Sequence, residues 1–499
     1  MKILETDRLI LRTFEERDID AMALIDQDPK VREFLGGTAD REKTAASVRK
    51  IIQHHNDHGF SLYAVELKLT GEMIGWCGLM IPSFDAHFMP AVEIGWRLAS
   101  HHWNQGYATE AAKAVLQYAF LNLKLKEVVS FTAVDNIRSR HVMEKIGLQH
   151  NPADDFDHPN LEKSHPLNRH VLYRISNIMH WGRETLLLHG YTLTDSLIET
   201  VQNTPWSHVI RYQTSSGYVY LKHTPPSLAI ESTITQLLHD RFQASVPDII
   251  AVNADLHCFL MKDAGEPLRS ILKKQFDAAL FCRAIDTYTK MQLATSNSLN
   301  VFLEIGVPDW RLNKLPALFD NLLSEKEILM ADGLEEKEIE DLKTLSPVVE
   351  ELCQQLSAFS IPATIVQCDF HDNNILIDEK TKAVTLIDLG EIVISHPFFS
   401  FIGCLFQVTR HHGLTEKDDV YKQLMAACLK NYATHKSQDN LLKIFALAQK
   451  LWPIYEACCQ YRLRILCDLK EFLGFQQHGK LADRLRQFAI CINGSDYAI

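Results

Sequence analysis

Hydrophobic and polar positions change rhythm along the chain, from short alternating runs in its first part to long stretches of helical period in its last. Glu5 to Arg12 predicts a strand, and Arg17 to Gln27 a helix stopped by Asp28 and Pro29. Phe60 to Leu67 and Met73 to Met80 alternate as the two strands of a hairpin turned at Thr70 and Gly71. Val92 to Leu98 predicts a further strand, which leads through Trp103 to Gly106 into an amphipathic helix ending near Leu121. Glu127 to Val134 predicts the next strand, and Asn136 to Leu148 a helix that Gly147 terminates. From Asn177 to about Leu186 no strong break appears. Beyond it, Val209 to Tyr212 and Tyr218 to Lys222 predict two strands about a turn at Thr214 to Gly217. From Leu268 onward the period is helical throughout, except at Ile375 to Ile377 and Val384 to Ile387, a hairpin turned at Asp378 to Lys382.

That hairpin carries the clearest chemistry. Asp369, Asn374 and Asp388 stand around it in the order that phosphoryl transfer from a nucleotide requires. Asp369 falls on an irregular loop where it can accept the proton of an attacking hydroxyl. Asn374 and Asp388, one neutral and one charged oxygen donor at the hairpin's ends, suit Mg²⁺. A second candidate site lies at Gln105, Gly106, Tyr107, Ala108 and Thr109, where a glycine just ahead of a helix lets a diphosphate approach free backbone N–H groups and the positive end of the helix dipole.

Composition narrows the class. A chain of 499 residues, 46% of them apolar, is expected to form two or three core-bearing domains. No apolar run reaches the roughly 18 residues needed to span a bilayer, the longest lying near Pro397 to Val408. The first residues are charged where a signal peptide would be apolar, so a cytoplasmic protein without a membrane role is expected. Eleven cysteines, an odd number with no Cys-x-x-Cys pair, fit reduced thiols better than a disulfide framework or a zinc site. The formal charge of −12 argues against non-specific nucleic-acid binding and favours cationic acceptors. The acidic run Glu335 to Asp341 could attract a cationic acceptor, though such a run is more often a solvated helix face. Paired histidines at 54 and 55 and at 101 and 102 invite a metal reading, but adjacent residues point apart in regular structure, so they are read as surface or packing residues.

Two resemblances add to this reading. Gln105, Gly106, Tyr107 and Ala108 fill a turn that resembles the acetyl-CoA pyrophosphate loop of the GNAT N-acetyltransferases, and Asn136 to Ser139 resembles that family's Asn-x-x-Ser helix. Glu5 to Leu9, Asp157 to Pro159 and His170 to Tyr173 are similar to the branch containing ribosomal-protein N-terminal acetyltransferases. The likeness covers residues 1–178. It implies direct attack of a neutral amine on the thioester, with Glu93 as general base, Ser139 as proton donor to the CoA thiolate and Asn136 as a cofactor contact. A capping role for Asn136 and a helix-surface role for Ser139 remain the alternatives.

Asp369, His371, Asn374 and Asp388-Leu389-Gly390 fall on the His-Gly-Asp-x-His-x-x-Asn and Asp-x-Gly segments of the aminoglycoside phosphotransferase and choline kinase-like family. Gln367 and Cys368 depart from the first two positions. By the same resemblance Lys222 is the phosphate lysine, Glu231 its ion-pair partner, and Met261 the hinge residue at the adenine, all within residues 185–499. The implied fold is α+β, a GNAT mixed-sheet domain followed by a protein-kinase-like domain with a small β-rich lobe and a large helical lobe. The implied cofactors are acetyl-CoA, ATP and Mg²⁺. The domain order is similar to that of bifunctional aminoglycoside acetyltransferase/phosphotransferases, which suits small, cationic amine and alcohol acceptors. Two alternatives stay open: a protein N-terminal acetyltransferase joined to a separate metabolite kinase, and an acetyltransferase with a non-catalytic nucleotide-binding regulatory domain. Neither acceptor nor the oligomeric state is legible.

Overall fold

The computed structural model describes residues 1–194, 198–467 and 478–492. The chain divides into two compact units, one of Met1–Ile198 with Gln213–Ser216 and one of Glu199–Tyr212 with Gly217–Ile499.

The first unit is built on one mixed sheet of nine strands: β1 (Lys2–Glu5), β2 (Leu9–Arg12), β3 (Leu62–Leu67), β4 (Met73–Met80), β5 (Glu93–Leu98), β6 (Glu127–Ala133), β7 (Gln149–His150), β8 (Phe156–Asp157) and β9 (Arg169–Ser176). Their spatial order is β1-β2-β3-β4-β5-β6-β9-β7, with β8 also on β9. Strand alternation sorts the core into two layers. Tyr63 and Val65 of β3 join the helix Tyr107–Leu121, which buries Ala111, Ala112, Val115, Leu116 and Ala119. Leu62 and Ala64, on the other face, pack against Met22, Ile25, Val48 and Ile51.

Two sequence expectations change here. Glu5 to Arg12 is not one strand but the hairpin of β1 and β2, because Thr6 turns the chain: its N–H donates to the Leu9 carbonyl at 3.0 Å and its hydroxyl to Glu110 at 2.6 Å. The helix Arg41–His58, absent from the sequence reading, buries only Thr44, Ala45, Val48 and Ile51, a stripe too sparse to stand out in so polar a segment.

The second unit opens with a five-stranded antiparallel sheet made of β10 (Glu199–Thr204), β11 (Ser207–Thr214), β12 (Gly217–His223), β13 (Ile249–Asn253) and β14 (Cys258–Lys262), in the order β10-β11-β12-β14-β13. The helix Glu231–Phe242 follows β12. Beyond the hinge, β15 (Glu266–Pro267) pairs with β17 (Ile375–Ile377), which pairs with β18 (Val384–Leu386). The rest is mainly helical, centred on Ala278–Thr295, Phe398–His412 and Gln438–Leu466. The long apolar run at Pro397 to Val408 belongs to this helical core, and among the described residues no helix is long and apolar enough to cross a membrane. The expectation of helix alone around the hairpin is corrected by a second small sheet, β16 (Thr364–Val366) with β19 (Val393–Ser395), which brackets the loop and hairpin between them. These strands are three residues each, too short for period to reveal. The acidic run forms the helix Glu336–Lys343, whose Ile339 and Leu342 are buried while Glu336 and Glu340 reach Lys326.

Gly265 ties hinge to hairpin. At φ +112° it passes so close to β17 that a Cβ would stand 2.1 Å from the Ile377 carbonyl oxygen. Gly265→Ala must therefore strain both backbones, and we expect a loss of about 3 kcal/mol from the second unit, read by denaturant unfolding.

Candidate functional site

In the first unit the site begins where two strands part. β5 and β6 are parallel neighbours registered at a single pair, Glu93 with Val129, whereas β5 pairs with β4 along its whole length. Glu93 therefore stands at the closed end of a cleft. Gly95, two residues on and so on the same face, leaves the surface beside it open: a Cβ there would sit 3.9 Å from Glu93 Oε1 and 3.3 Å from the Trp76 ring. Burial pushes the Glu93 carboxyl up to about 8. A carboxyl so poised can take a proton near neutral pH.

β5 then runs into the loop that precedes the helix Tyr107–Leu121. The loop is held open by left-handed backbone at Asn104 (φ 61°) and Gly106 (φ 83°), and no side chain caps the helix among the described residues. The N–H groups of Tyr107, Ala108 and Thr109 belong to that uncapped first turn, so they are suited to an anion. Trp103 fixes the loop's entry by donating Nε1–H to the Leu98 carbonyl at 2.8 Å. Arg8, which the sequence reading missed, donates to the Gln105 carbonyl at 3.0 Å, pairs with Glu110 at 2.6 Å and lies 4.4 Å over the Tyr107 ring. It adds a positive charge beside the loop, and its partners, about a hundred residues away, left no spacing signal. Gln105 donates its own amide to the His101 carbonyl at 3.1 Å. Gly106→Glu would bring bulk and negative charge to the helix start, and a fall of at least about tenfold in CoA affinity by calorimetry is expected, with the fold intact.

Asn136 takes the capping role: Oδ1 accepts the Ser139 N–H at 3.3 Å while Nδ2 donates to Thr132 Oγ1 at 2.9 Å. The Ser139 hydroxyl is half-buried and makes no hydrogen bond among the described residues. Arg138, on the same helix, stacks 4.7 Å over Trp103, so the two elements share a contact.

In the second unit the sequence-predicted residues meet on both sides of the hairpin. Lys222 of β12 is buried and pairs with Glu231 at 2.7 Å and with Asp388. Burial alone would lower the Lys222 ammonium, but Asp388 and Glu231 outweigh it and hold the lysine charged. Glu231 also accepts the Leu389 N–H at 3.2 Å, fixing the turn after Asp388. These residues, with Met261, Asn374 and Ile387, line a cleft of about 400 Å³. Met261 lies in β14 opposite Tyr220. The Ile387 N–H donates to the Asn374 carbonyl at 3.0 Å, which brings Asn374 beside Asp388 at the end of the hairpin. Their amide and carboxylate oxygens are hard donors of the kind Mg²⁺ takes.

Asp369 opens onto a separate cavity of about 890 Å³, 59% of its side chain exposed. Enclosure in the cavity wall raises its carboxyl, but His371, 3.0 Å away, then Arg269 and Asn374 outweigh this and hold it below the usual range. The Asn374 amide donates to the Asp369 carbonyl at 2.8 Å, so the two candidate residues share one turn. Asp372, inside the loop, is buried and clamped by Arg269 at 2.8 Å and His412 at 2.7 Å. Sequence reasoning missed this brace because both partners lie far along the chain.

The two departures from the family loop have structural work. Gln367 donates its amide to the carbonyls of Ile387 at 2.8 Å and Asp388 at 3.0 Å. The Cys368 thiol donates to the Glu391 carbonyl at 3.0 Å.

Family comparisons agree with both halves. Residues 8–149 match the acetyltransferase (GNAT) domain family, and residues 207–437 match the phosphotransferase enzyme family. The first half is 34% identical over 148 residues to the uncharacterized protein YkkB of Bacillus subtilis, covering 30% of this chain and 85% of that protein. It is 30% identical over 154 residues to the uncharacterized N-acetyltransferase p20 of Bacillus licheniformis, covering 30% of this chain and 83% of that one. It is also 30% identical over 154 residues to the FsC-acetyl coenzyme A-N(2)-transacetylase of Aspergillus fumigatus, covering 30% of this chain and 65% of that enzyme. The chain therefore belongs to the GNAT acetyltransferases and carries, behind that domain, a second transferase domain of the phosphotransferase enzyme family.

Proposed function

We propose that the two domains catalyse separate reactions, acetyl-CoA-dependent N-acetylation of an amine and ATP- and Mg²⁺-dependent O-phosphorylation of a small hydroxyl compound. The observation that carries the reading is the division of labour around the hairpin: Lys222, Glu231 and Asp388 meet in the smaller cleft while Asp369 faces a cavity of its own. A nucleotide and an acceptor then have distinct places, with the base between them. In the first unit, the uncapped helix after Gly106 supports a pyrophosphate contact, and the Aspergillus relative's name supports acetyl-CoA as the donor. Glu93 acts as base, Ser139 returns a proton to the thiolate, and Asn136 positions Ser139 by starting its helix.

Gln367 favours turnover over a purely regulatory nucleotide site, because it keeps the loop fastened to the Asp388 segment despite the changed residue. The kinase acceptor is a molecule of the size the cavity admits, and an aminoglycoside-type compound is one candidate. A second reading is favoured by Arg410 and Lys480 in the cavity wall, neither of which has an ion-pair partner among the described residues: the acceptor carries an anionic group beside its hydroxyl. A protein N-terminus is the alternative acceptor for the acetyl half. Cys77, Cys258, Cys353, Cys404 and Cys428 are buried free thiols, which a reducing compartment suits. A paired screen tests the proposal, following thiol release from acetyl-CoA with amines and ADP release from ATP with neutral, cationic and anionic alcohols. No thiol release with any amine would refute the acetyl half, and no ADP release with any alcohol the kinase half.

A further inference from the structure

The paired histidines read as surface or packing residues divide into two cases. His54 is a packing residue, its ring nitrogens meeting the Phe60 carbonyl at 2.9 Å and the Ile81 N–H at 3.2 Å. His101 and His102 behave differently. They lie in one tight turn, Ser100–His102, and their rings do not point apart but sit 4.2 Å from centre to centre. Both Nε2 atoms face the same carboxylate oxygen of Glu72, at 3.7 Å for His101 and 3.3 Å for His102. One ligand atom from each of the three residues lies within 4.8 Å of the other two.

Those spacings suit an ion better than an ion pair. In a tetrahedral zinc shell with bonds of about 2.0–2.1 Å, neighbouring ligand atoms stand about 3.3 Å apart. The two N···O distances already approach that figure, and one imidazole is anchored: 12% of the His102 side chain is exposed, against 69% for His101 and 49% for Glu72. Two imidazole nitrogens with one carboxylate oxygen select zinc-class cations over Mg²⁺ or Ca²⁺, which take oxygen donors.

We propose that Glu72, His101 and His102 form a three-ligand site for a zinc-class divalent cation, with its fourth position open to water. Its place gives it a role. Glu72 closes the turn from β3 to β4, and the histidines lie in the turn that leads into Asn104–Gly106, where the Gln105 amide holds the His101 carbonyl at 3.1 Å. An ion here staples the hairpin turn to the foot of the anion-binding loop, and the loop loses freedom when the ion is bound.

Titration of the full-length chain with zinc chloride tests this, alongside His101→Ala and Glu72→Ala, two changes at exposed positions that disturb no core. The expected result is one zinc-binding event in the parent protein that weakens at least about tenfold in each variant. Amide hydrogen exchange in residues 69–73 and 100–106 should slow on zinc addition in the parent and stay unchanged in His101→Ala. Magnesium chloride should produce neither effect. Equal zinc affinity in parent and both variants, or exchange in those segments indifferent to zinc, would overturn the site.

Discussion

Asp369→Asn should lower phosphoryl transfer by about 10² or more while leaving nucleotide affinity nearly unchanged. Asparagine keeps the shape of the side chain but cannot take the proton of an attacking hydroxyl. The loop should hold, because the Asn374 amide donates to the backbone carbonyl at position 369, and Asp372 keeps its clamp of Arg269 and His412. The nucleotide cleft draws on Lys222, Glu231 and Asp388, whose contacts do not involve Asp369. Asp388→Asn should behave differently, weakening Mg²⁺-dependent nucleotide binding together with turnover. Acetyl transfer should survive both changes. A parental phosphorylation rate in Asp369→Asn would remove the base assignment, and with ATP bound but no alcohol phosphorylated the second domain becomes a regulatory module.

Glu93→Gln should lower acetyl transfer by about 10² or more at neutral pH with CoA affinity intact. The pH profile gives the sharper check. With its carboxyl raised to about 8 by burial, Glu93 is mostly protonated at pH 7 and gains its proton-accepting form as pH rises. With an acceptor amine whose own pKa lies well below that value, the parent rate should climb with pH through about 8 and the variant should lack that limb. The same group also affects stability. The folded chain keeps a proton that the unfolded chain releases from the ordinary value of 4.5 upward, so its contribution declines as pH rises towards about 8. Glu93→Gln should flatten that decline in thermal unfolding of the first unit. A flat parent profile and an unimpaired variant would place the base elsewhere.

How far the sequence could be read depended on the range of each signal. The β3–β4 hairpin, the strand before the Gly106 turn and the β17–β18 hairpin all announce themselves within a dozen residues, by alternation, a glycine or a turn cluster. The candidate site residues were named from local motifs or from family resemblance, and the structure brings Lys222, Glu231 and Asp388 into contact. Arg8, Arg269 and His412 were not, because each works across a hundred residues or at a fold-dependent contact that no local pattern encodes. The short strands β16 and β19 failed on length, and the helix Arg41–His58 on its thin apolar stripe. The rings of His101 and His102 sit 4.2 Å apart and do not point away from each other, because the rule for adjacent residues in regular elements does not hold in a single tight turn.

The Gln367 amide also decides how the loop around Asp369 responds to acid. Where the family loop carries a histidine, that ring can gain a charge as pH falls through the weakly acidic range. A carboxamide has no such proton to gain, so the link from the catalytic loop to the Ile387 and Asp388 carbonyls keeps its donor pattern as the medium acidifies. The fastening of this loop to the segment around Asp388 is thereby indifferent to acid, because neither the carboxamide nor the two backbone carbonyls titrate.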